Sequence, residues 1–302
     1  MELVLTEPIH DQAEGLRRLL VQDFVRIVTV ASGKAGAGKT TTVINLAAYL
    51  ARAGKKVLII DENAGANNLS TTLGLNAHRD LLDVIRRDKS LDQVIVGHSE
   101  GQYILPAGRG MRVLDKLSAG DQAHLIGCFA HLAQPMDVVL IDTVPGRSSR
   151  LLPLNFSGHE LLVVVSPEPA SITSAYALIK HNSAQHHDKQ RFHILVNKAG
   201  TEAEAQMIFD NMGSAAMHYL GVSLDFVGFI PSDEKLCLGR AVAEAFPAAV
   251  SASAFRSAAE SLTNWPSQEG DSKRLERFMQ CLLQSNQGNQ GGWTSAMAAN
   301  SW

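Results

Sequence analysis

Cysteine is scarce in this chain of 302 residues, and its three cysteines stand far apart. They are Cys128, Cys237 and Cys281, so the sequence contains no C-x-x-C pair. This spacing indicates neither a disulfide framework nor a zinc site, and it is typical of reduced thiols in a cytosolic protein. The first residues lack a basic start followed by a long apolar run, so we expect no signal peptide.

Long apolar runs and an excess of basic charge are also missing. No stretch approaches the roughly 18 uncharged apolar residues that a membrane-spanning helix needs. The formal net charge is −3, so the overall charge does not predict a nucleic-acid partner. The sequence does have 45% apolar residues, which is enough for a folded domain with a large core.

Short apolar, β-branched runs recur along the chain and are typical of strands buried on both faces. They lie at Val25–Val30, Val57–Ile60, Tyr103–Leu105, Val138–Ile141, Leu161–Val165, Phe192–Val196 and Val227–Ile230. Helical patterns separate several of them, as at Thr41–Ala53 and Ser171–His181. The alternation predicts a three-layer α/β fold, with a mostly parallel central sheet and helices on both faces. In such sheets the ligand binds at the carboxyl ends of the strands.

A glycine-rich loop follows the first predicted strand. Residues 33–40 read GKAGAGKT, which matches G-x-x-x-x-G-K-[ST] between a strand and a helix. The glycines let backbone N–H groups converge on phosphate oxygens, and the helix end adds its positive dipole. Lys39 can reach the β- and γ-phosphates, and the Thr40 hydroxyl can coordinate Mg²⁺. The predicted phosphate-binding residues are Gly33, Lys34, Ala35, Gly36, Ala37, Gly38, Lys39, Thr40 and Thr41.

Carboxylates follow two further strands at the same edge of the predicted sheet. Asp142 ends the run VVLI and is placed to hold Mg²⁺ through water. Gly146 could let the following loop respond to the γ-phosphate. Asp61 ends the run VLII and is a second carboxylate at this edge. The sequence therefore predicts a magnesium site at Thr40, Asp61 and Asp142.

A second lysine, Lys34, lies inside the phosphate loop. From the residues alone, it is either a solvated surface lysine or a group that stabilises charge on a nucleotide held by a partner subunit. With this lysine, GKAGAGKT resembles the deviant phosphate loop of the MinD/ParA ATPases, and Lys34 matches their signature lysine. The resemblance runs from about Val25 to Leu262, which is most of the chain. It implies a protein that binds ATP or ADP with Mg²⁺ and dimerises with ATP.

Further positions match the motifs of this family. Asp61 stands at the first switch loop, with Asn67 or Asn68 as a later member, and DTVPG at 142–146 stands at the second. Asn197 follows one strand, and the I-P-x-D loop containing Pro231 and Asp233 follows another. The resemblance implies that Asn197, Pro231 and Asp233 bracket the adenine ring. It also implies that each Lys34 lies near the phosphates of the opposite subunit.

One departure from the family concerns catalysis. The first switch of the family reads roughly D-x-D, and here it reads Asp61-Glu62-Asn63. Asn63 replaces the aspartate that orients the attacking water, and an amide cannot accept a proton as a carboxylate can. We therefore expect intact nucleotide binding and slow or absent ATP hydrolysis, unless Glu62 or a loop shift restores it. Lys34 and Asn63 are the candidate catalytic positions.

The two ends of the chain carry candidate interaction segments. Residues 11–18, DQAEGLRR, and residues 167–180 resemble the flagellar-number regulators of the family, FlhG or FleN. In that group the N-terminal segment docks on the flagellar GTPase of the signal-recognition type. The group also acts on flagellar gene regulation and basal-body assembly. We expect a docking segment at 1–24, with contacts through Asp11–Arg18, an ATPase domain at 25–264, and a linker, helix and tail at 265–302.

The helix expected at Lys273–Gln284 has an apolar face with helical spacing and basic residues at its start. Such a helix could lie on an anionic membrane or pack on the core, and spacing alone does not separate the two. The family ends in a membrane-targeting helix at about this place. The resemblance therefore implies a cytoplasmic protein that attaches reversibly to the inner face of the membrane.

The function that the sequence predicts is an ATP-binding switch that controls flagellar number and biosynthesis. A division-site or DNA-partitioning ATPase of the same fold is one alternative, although it would lack the segment at residues 11–18. A metabolic phosphate-loop enzyme is another, and the cysteine placement gives no support to its reductase branch. A nucleotide-bound adaptor without a hydrolytic cycle is a third, and Asn63 favours it.

Overall fold

The computed structural model describes residues 25–65, 68–75, 78–146, 159–185, 191–236, 240–265 and 275–288. Four features singled out in the sequence lie outside these residues. They are the predicted docking segment Asp11–Arg18, the switch position Asn67, the linker that follows Trp265 and the tail after residue 288.

An eight-stranded sheet forms the central layer of the described part of the chain. Its strands are β1 (Arg26–Ala31), β2 (Val57–Asp61), β3 (Val96–Ser99), β4 (Gln102–Pro106), β5 (Val138–Asp142), β6 (His159–Val165), β7 (Arg191–Ala199) and β8 (Ser223–Pro231). Their order in space is β3-β4-β2-β5-β1-β6-β7-β8. Every neighbouring pair is parallel except β3 with β4. The predicted fold, including its mostly parallel sheet, is confirmed.

Helices cover both faces of this sheet. They are α1 (Lys39–Arg52), α2 (Leu69–Thr72), α3 (Leu81–Ile85), α4 (Leu91–Val94), α5 (Gly108–Met111), α6 (Ala119–Ala130), α7 (Pro169–Gln185), α8 (Glu202–Leu220), α9 (Val242–Ala245), α10 (Val250–Asn264) and α11 (Leu275–Gly288). Alternate strand residues face opposite layers. Leu58 belongs to an apolar cluster with residues of α3, α5, α6 and α11, whereas its neighbour Ile59 belongs to a separate cluster with residues of α1 and α10. Burial on both faces explains why the central strands read as continuous apolar runs.

The strand register sets the geometry of the functional edge. β1 lies between β5 and β6, and β5 in turn lies between β1 and β2. In the β2–β5 pair, Asp61 lies directly opposite Asp142. Two carboxylates that are far apart in the sequence therefore stand side by side at the carboxyl ends of neighbouring strands.

Strand β3 is the element that the apolar pattern missed. It has four residues, VGHS, and lies antiparallel at one edge of the sheet. Its residues alternate between half-buried and exposed, because an edge strand is covered less completely than a central one. A strand this short and polar has no apolar run for a sequence pattern to detect.

The C-terminal helix α11 is docked on the core, which is one of the two arrangements that the spacing of its apolar residues allows. The buried side chains of this face are Leu275, Phe278, Met279, Leu282 and Leu283. They join Leu125 and Phe129 of α6 in one apolar cluster, and that cluster also includes Leu114 of the short 3₁₀ turn Leu114–Lys116. Because burial in this cluster removes the face from water, it is not available to a lipid surface in this conformation. None of the described helices is long and apolar enough to cross a membrane.

Shortening one buried side chain of α11 tests this docking. We expect Leu282→Ala to lower the free energy of unfolding by about 2–5 kcal/mol, since it leaves a cavity in the core. Urea denaturation followed by circular dichroism measures the change. The control is Met217→Ala, because Met217 is 57% exposed on α8 and its truncation should cost less than about 0.5 kcal/mol. Equal, small losses for both variants would contradict a docked helix.

Candidate functional site

The predicted phosphate loop turns between β1 and α1 at the carboxyl edge of the sheet. Gly36 and Gly38 have φ angles of 84° and 96°, in the left-handed region that glycine adopts without strain. A Cβ atom at Gly38 would also stand 2.0 Å from Nδ2 of Asn197, and one at Gly33 would stand 2.1 Å from the backbone of Ser174 in α7. Glycine is thus required at Gly38 by both conformation and space, and at Gly33 by space.

The end of β7 holds the phosphate loop in shape. Asn197 Nδ2 donates to the carbonyl oxygen of Ala37 at 2.8 Å, and Lys198 Nζ donates to that of Gly36, also at 2.8 Å. Lys198 itself has a φ of 64°, which is uncommon for a residue with a side chain. These bonds fix two loop carbonyls against β7. The sequence did not predict this supporting role of Lys198, the residue after Asn197.

A buried ionic group lies beneath the loop. Lys39 is 7% exposed, and its Nζ lies 3.9 Å from Oδ1 of Asp142, while Thr40 Oγ1 donates to Oδ2 of Asp142 at 2.7 Å. Burial raises the pKa of Asp142 to about 7, although the nearby Lys39 ammonium acts in the opposite direction. Asp142 Oδ1 has no hydrogen-bond partner among the described residues. A hydroxyl beside a carboxylate with a spare oxygen suits Mg²⁺, which prefers oxygen ligands.

Asp61 organises the first switch loop. Its Oδ1 accepts from the backbone N–H of Asn63 at 2.9 Å and from Asn63 Nδ2 at 3.0 Å. Its Oδ2 accepts from the backbone N–H of Leu69 at 2.6 Å. Burial raises the pKa of Asp61, and these hydrogen bonds offset part of that rise. The carboxylate therefore ties both ends of residues 63–69 to β2, and its role as a metal ligand stays a prediction.

Asn63 and Glu62 have different surroundings. Asn63 lines the cavity beside the phosphate loop, where its amide is held by Asp61. Glu62 is 5% exposed, and its Oε2 accepts from the backbone N–H of Val144 at 3.0 Å. In this conformation Glu62 thus faces the second switch loop. The geometry gives no support to Glu62 as a replacement for the missing catalytic carboxylate.

Lys34 is paired within its own subunit. Its Nζ forms an ion pair with Oε2 of Glu168, which stands just before α7. The hydrogen bond from Lys34 lowers the pKa of Glu168. Both side chains are partly exposed, at 36% and 58%, so the pair lies at the surface and is weak enough to exchange. No sequence spacing predicted this contact, because its partners lie 134 residues apart.

A cavity of about 810 Å³ adjoins the loop, within the range that small-molecule sites occupy. One side of its lining comes from the end of β7 and the residues after β8, namely Asn197, Ser232, Asp233 and Leu236. Pro231 ends β8 just before Ser232. Asp233 shapes this side, since its carboxylate accepts from Ser251 Oγ at 2.6 Å and from the backbone N–H of Lys235 at 2.9 Å. Asn197 Oδ1 is buried without a partner among the described residues. A free acceptor there suits the amino group of adenine.

The loop, the buried lysine and the cavity together define a phosphate-loop nucleotide-binding protein. Residues 25–194 match a family model described as an AAA domain. The antiactivator FleN of Pseudomonas aeruginosa is 35% identical over 264 residues, covering 86% of this chain and 94% of FleN. The flagellum site-determining protein YlxH of Helicobacter pylori is 26% identical over 204 residues, covering 65% of this chain and 68% of YlxH.

Solved structures agree with these relatives. MinD in the MinC:MinD cell division protein complex of Aquifex aeolicus superposes with a TM-score of 0.59 at 25% identity, covering 82% of this chain and 98% of the other. A septum site-determining protein MinD from Pyrococcus horikoshii, complexed with Mg-ADP, gives a TM-score of 0.58 at 24% identity and shows the shared fold, covering 80% of this chain and 97% of the other. The chain belongs to the MinD/ParA family of phosphate-loop ATPases, and within that family it is similar to FleN.

The raised pKa of Asp142 predicts a pH dependence of the ligand-free protein. Because the pKa in the fold lies above the usual value, this group contributes its full stability below about pH 4 and loses it as the pH rises through about 7. We expect the stability of Asp142→Asn, measured relative to the wild type, to increase as the pH rises from 4 to 8, because only the wild type loses this contribution. Urea denaturation across this range measures the difference, and Asp88→Asn on the surface controls for the loss of one carboxylate. A constant difference between wild type and Asp142→Asn would contradict the assignment.

Proposed function

We propose that the protein is an ATP-binding switch in the control of flagellar number and assembly. The observation that carries this proposal is the buried Lys39–Asp142–Thr40 group beneath a loop shaped for phosphate. The flagellar part rests on the similarity to FleN and YlxH, whose names describe an antiactivator and a flagellum site-determining protein. FleN also matches more of this chain than the MinD proteins do.

The chain's own residues suggest how ATP is held. The loop N–H groups and Lys39 contact the phosphates, and the cavity wall at Asn197 and Ser232 receives the base. Thr40 and Asp142 would hold Mg²⁺, which would neutralise charge on the β- and γ-phosphates. A cation at this place would also favour the ionised form of Asp142, whose pKa burial raises to about 7.

Dimerisation with ATP requires Lys34 to change partner. In the described conformation Lys34 is held by Glu168 of its own chain. An exposed ion pair contributes only about 0.2–1 kcal/mol, so the phosphates of a second subunit compete with it readily. Glu168 is therefore the partner of Lys34 in the monomer. In the dimer the γ-phosphate replaces it, and this contact favours the dimer over the monomer.

Hydrolysis is slow in this proposal because the site lacks a suitably placed base. The first-switch residue that lines the cavity is Asn63, whose amide donates to Asp61. A positioned general base contributes about 10²–10⁴-fold to a rate, and an amide cannot take up the proton of water. The ATP-bound dimer is therefore expected to be long-lived.

Restoring the carboxylate tests this explanation. We expect Asn63→Asp to raise the rate of phosphate release at saturating Mg·ATP at least tenfold, because it supplies a proton acceptor in the cavity. Single-turnover phosphate release measures the rate. The control Asn63→Ala removes the amide without adding a base and should stay at the wild-type rate. Turnover in the wild type as fast as in Asn63→Asp would mean that another residue supplies catalysis.

Oligomeric state tests the switch itself. Light scattering with Mg²⁺ and ADP should give a monomer, whereas ATP should give a dimer that persists without phosphate release. Lys34→Ala should remain monomeric with ATP, and Lys55→Ala, an exposed lysine remote from the loop, should behave as the wild type. A monomer in every nucleotide would favour the alternative of a nucleotide-bound adaptor.

The proposal also includes binding to partner proteins and to a membrane. The segment Asp11–Arg18 is proposed to dock on a flagellar GTPase of the signal-recognition type, and a flagellar regulator or basal-body component is a further partner. Attachment to a membrane through α11 would require the helix to leave the core first. Undocking exposes the buried face of Leu275, Phe278 and Leu282, so membrane binding and loss of the docked state are linked.

A further inference from the structure

Glu62 is a buried carboxylate that the nucleotide site does not use directly. It follows β2 and stands between Asp61, which holds the first switch loop, and Asn63, which lines the cavity. It is 5% exposed. Burial of a charged group costs free energy unless hydrogen bonds satisfy it, so its partners indicate what it does.

Two hydrogen bonds join Glu62 to the other switch segment. Its backbone N–H donates to the carbonyl oxygen of Asp142 at 3.0 Å, which extends the β2–β5 pairing by one residue. Its side chain then reaches further, since Oε2 accepts from the backbone N–H of Val144 at 3.0 Å. A backbone N–H can donate to a carboxyl oxygen or to an amide oxygen at this place. Glu62 therefore fastens the loop after β2 to the loop after β5.

This bond sits at the point where a movement of either loop would be transmitted. Asn63, the next residue after Glu62, lines the nucleotide cavity, and so does Pro145, the next residue after Val144. Gly146 continues the connection, because its N–H donates to the carbonyl oxygen of Ser32 at 2.8 Å at the start of the phosphate loop. The contact between Glu62 and Val144 thus adds a side-chain bond between two cavity walls, next to the backbone bond from Glu62 to Asp142.

We propose that Glu62 is a positioning residue that couples the two switch loops, so that both respond together when a γ-phosphate occupies the site. The coupling depends on where the acceptor oxygen lies, and a neutral oxygen at the same place preserves it. This inference rests on the proposed nucleotide switch, and it adds the residue through which the two loops act as one unit. When the two loops move as one unit, the contacts of both with the γ-phosphate form together. The difference in affinity between ATP and ADP is then larger than it would be with either loop alone.

Two substitutions separate acceptor position from charge. Glu62→Gln keeps the chain length and an oxygen acceptor but loses the charge. Glu62→Asp keeps the charge but is shorter by about 1.5 Å, one C–C bond, which takes the acceptor out of hydrogen-bond range of Val144. The measured quantity is the ratio of dissociation constants for Mg·ADP and a non-hydrolysable Mg·ATP analogue, obtained by calorimetry on the full chain.

We expect Glu62→Asp to reduce this ratio about tenfold with little change in the dissociation constant of ADP, and Glu62→Gln to stay within about twofold of the wild type. A Glu62→Asp ratio equal to that of the wild type, or equal losses in both variants, would overturn the coupling. A wild type that does not discriminate ATP from ADP would instead remove the proposed switch, and the coupling with it.

Hydrogen exchange of the ligand-free protein gives a second reading that does not depend on nucleotide. The Val144 amide should exchange faster in Glu62→Asp than in the wild type, whereas in Glu62→Gln it should stay protected. A purely structural role for Glu62 would instead lower global stability, and exchange would then rise throughout β2 and β5. Equal Val144 exchange in all three proteins would contradict the bond on which the inference depends.

Discussion

The structure depends above all on burying the ammonium group of Lys39 next to the carboxylate of Asp142. Each group offsets part of the cost of burying the other, but burial of the carboxylate keeps a net cost, which is why its pKa is raised. The pair remains incomplete, because Asp142 keeps one oxygen without a hydrogen bond among the described residues and its pKa is raised to about 7. In the proposed function, Mg²⁺ bound with the nucleotide would contact this oxygen of Asp142.

The parallel sheet brings the residues of the site together from distant parts of the sequence. β1 leads into the phosphate loop, β2 and β5 bring Asp61 and Asp142 into register, and β7 supplies the two side chains that hold the loop. Each contribution comes from the carboxyl end of a strand, where side chains of neighbouring parallel strands meet. The loops that follow β2 and β5 are then close enough to be joined by Glu62, and a change at the phosphates reaches both.

The sequence predicted most of this fold, because fully buried strands leave continuous apolar runs and the phosphate loop has a fixed spacing. The seven expected strands, the loop and the proximity of Asp61 to Asp142 could all be inferred. Strand β3 was not predicted, since this edge strand of four residues has no apolar run. The docking of α11 could not be predicted either, because its spacing suits a core and a lipid surface equally well.

The individual contacts of the site were less predictable than its location. The pair between Lys34 and Glu168 joins residues from separate elements, and the bond from Lys198 to the loop requires a left-handed backbone that no motif specified. Asn63 was recognised from the resemblance as a departure, but the use of its amide by Asp61 is visible only in three dimensions. Long-range side-chain geometry follows from the packed fold and leaves little trace in local sequence.

The most direct test of the account is calorimetric binding of Mg·ATP to the ligand-free protein and to Lys39→Met, which keeps the volume of the buried chain and removes its charge. The account predicts one nucleotide per chain in the wild type and loss of binding in Lys39→Met, with proton release near pH 7 in the wild type only. Equal affinity in the two proteins would contradict it, since the nucleotide would then bind somewhere other than above the buried Lys39–Asp142 pair.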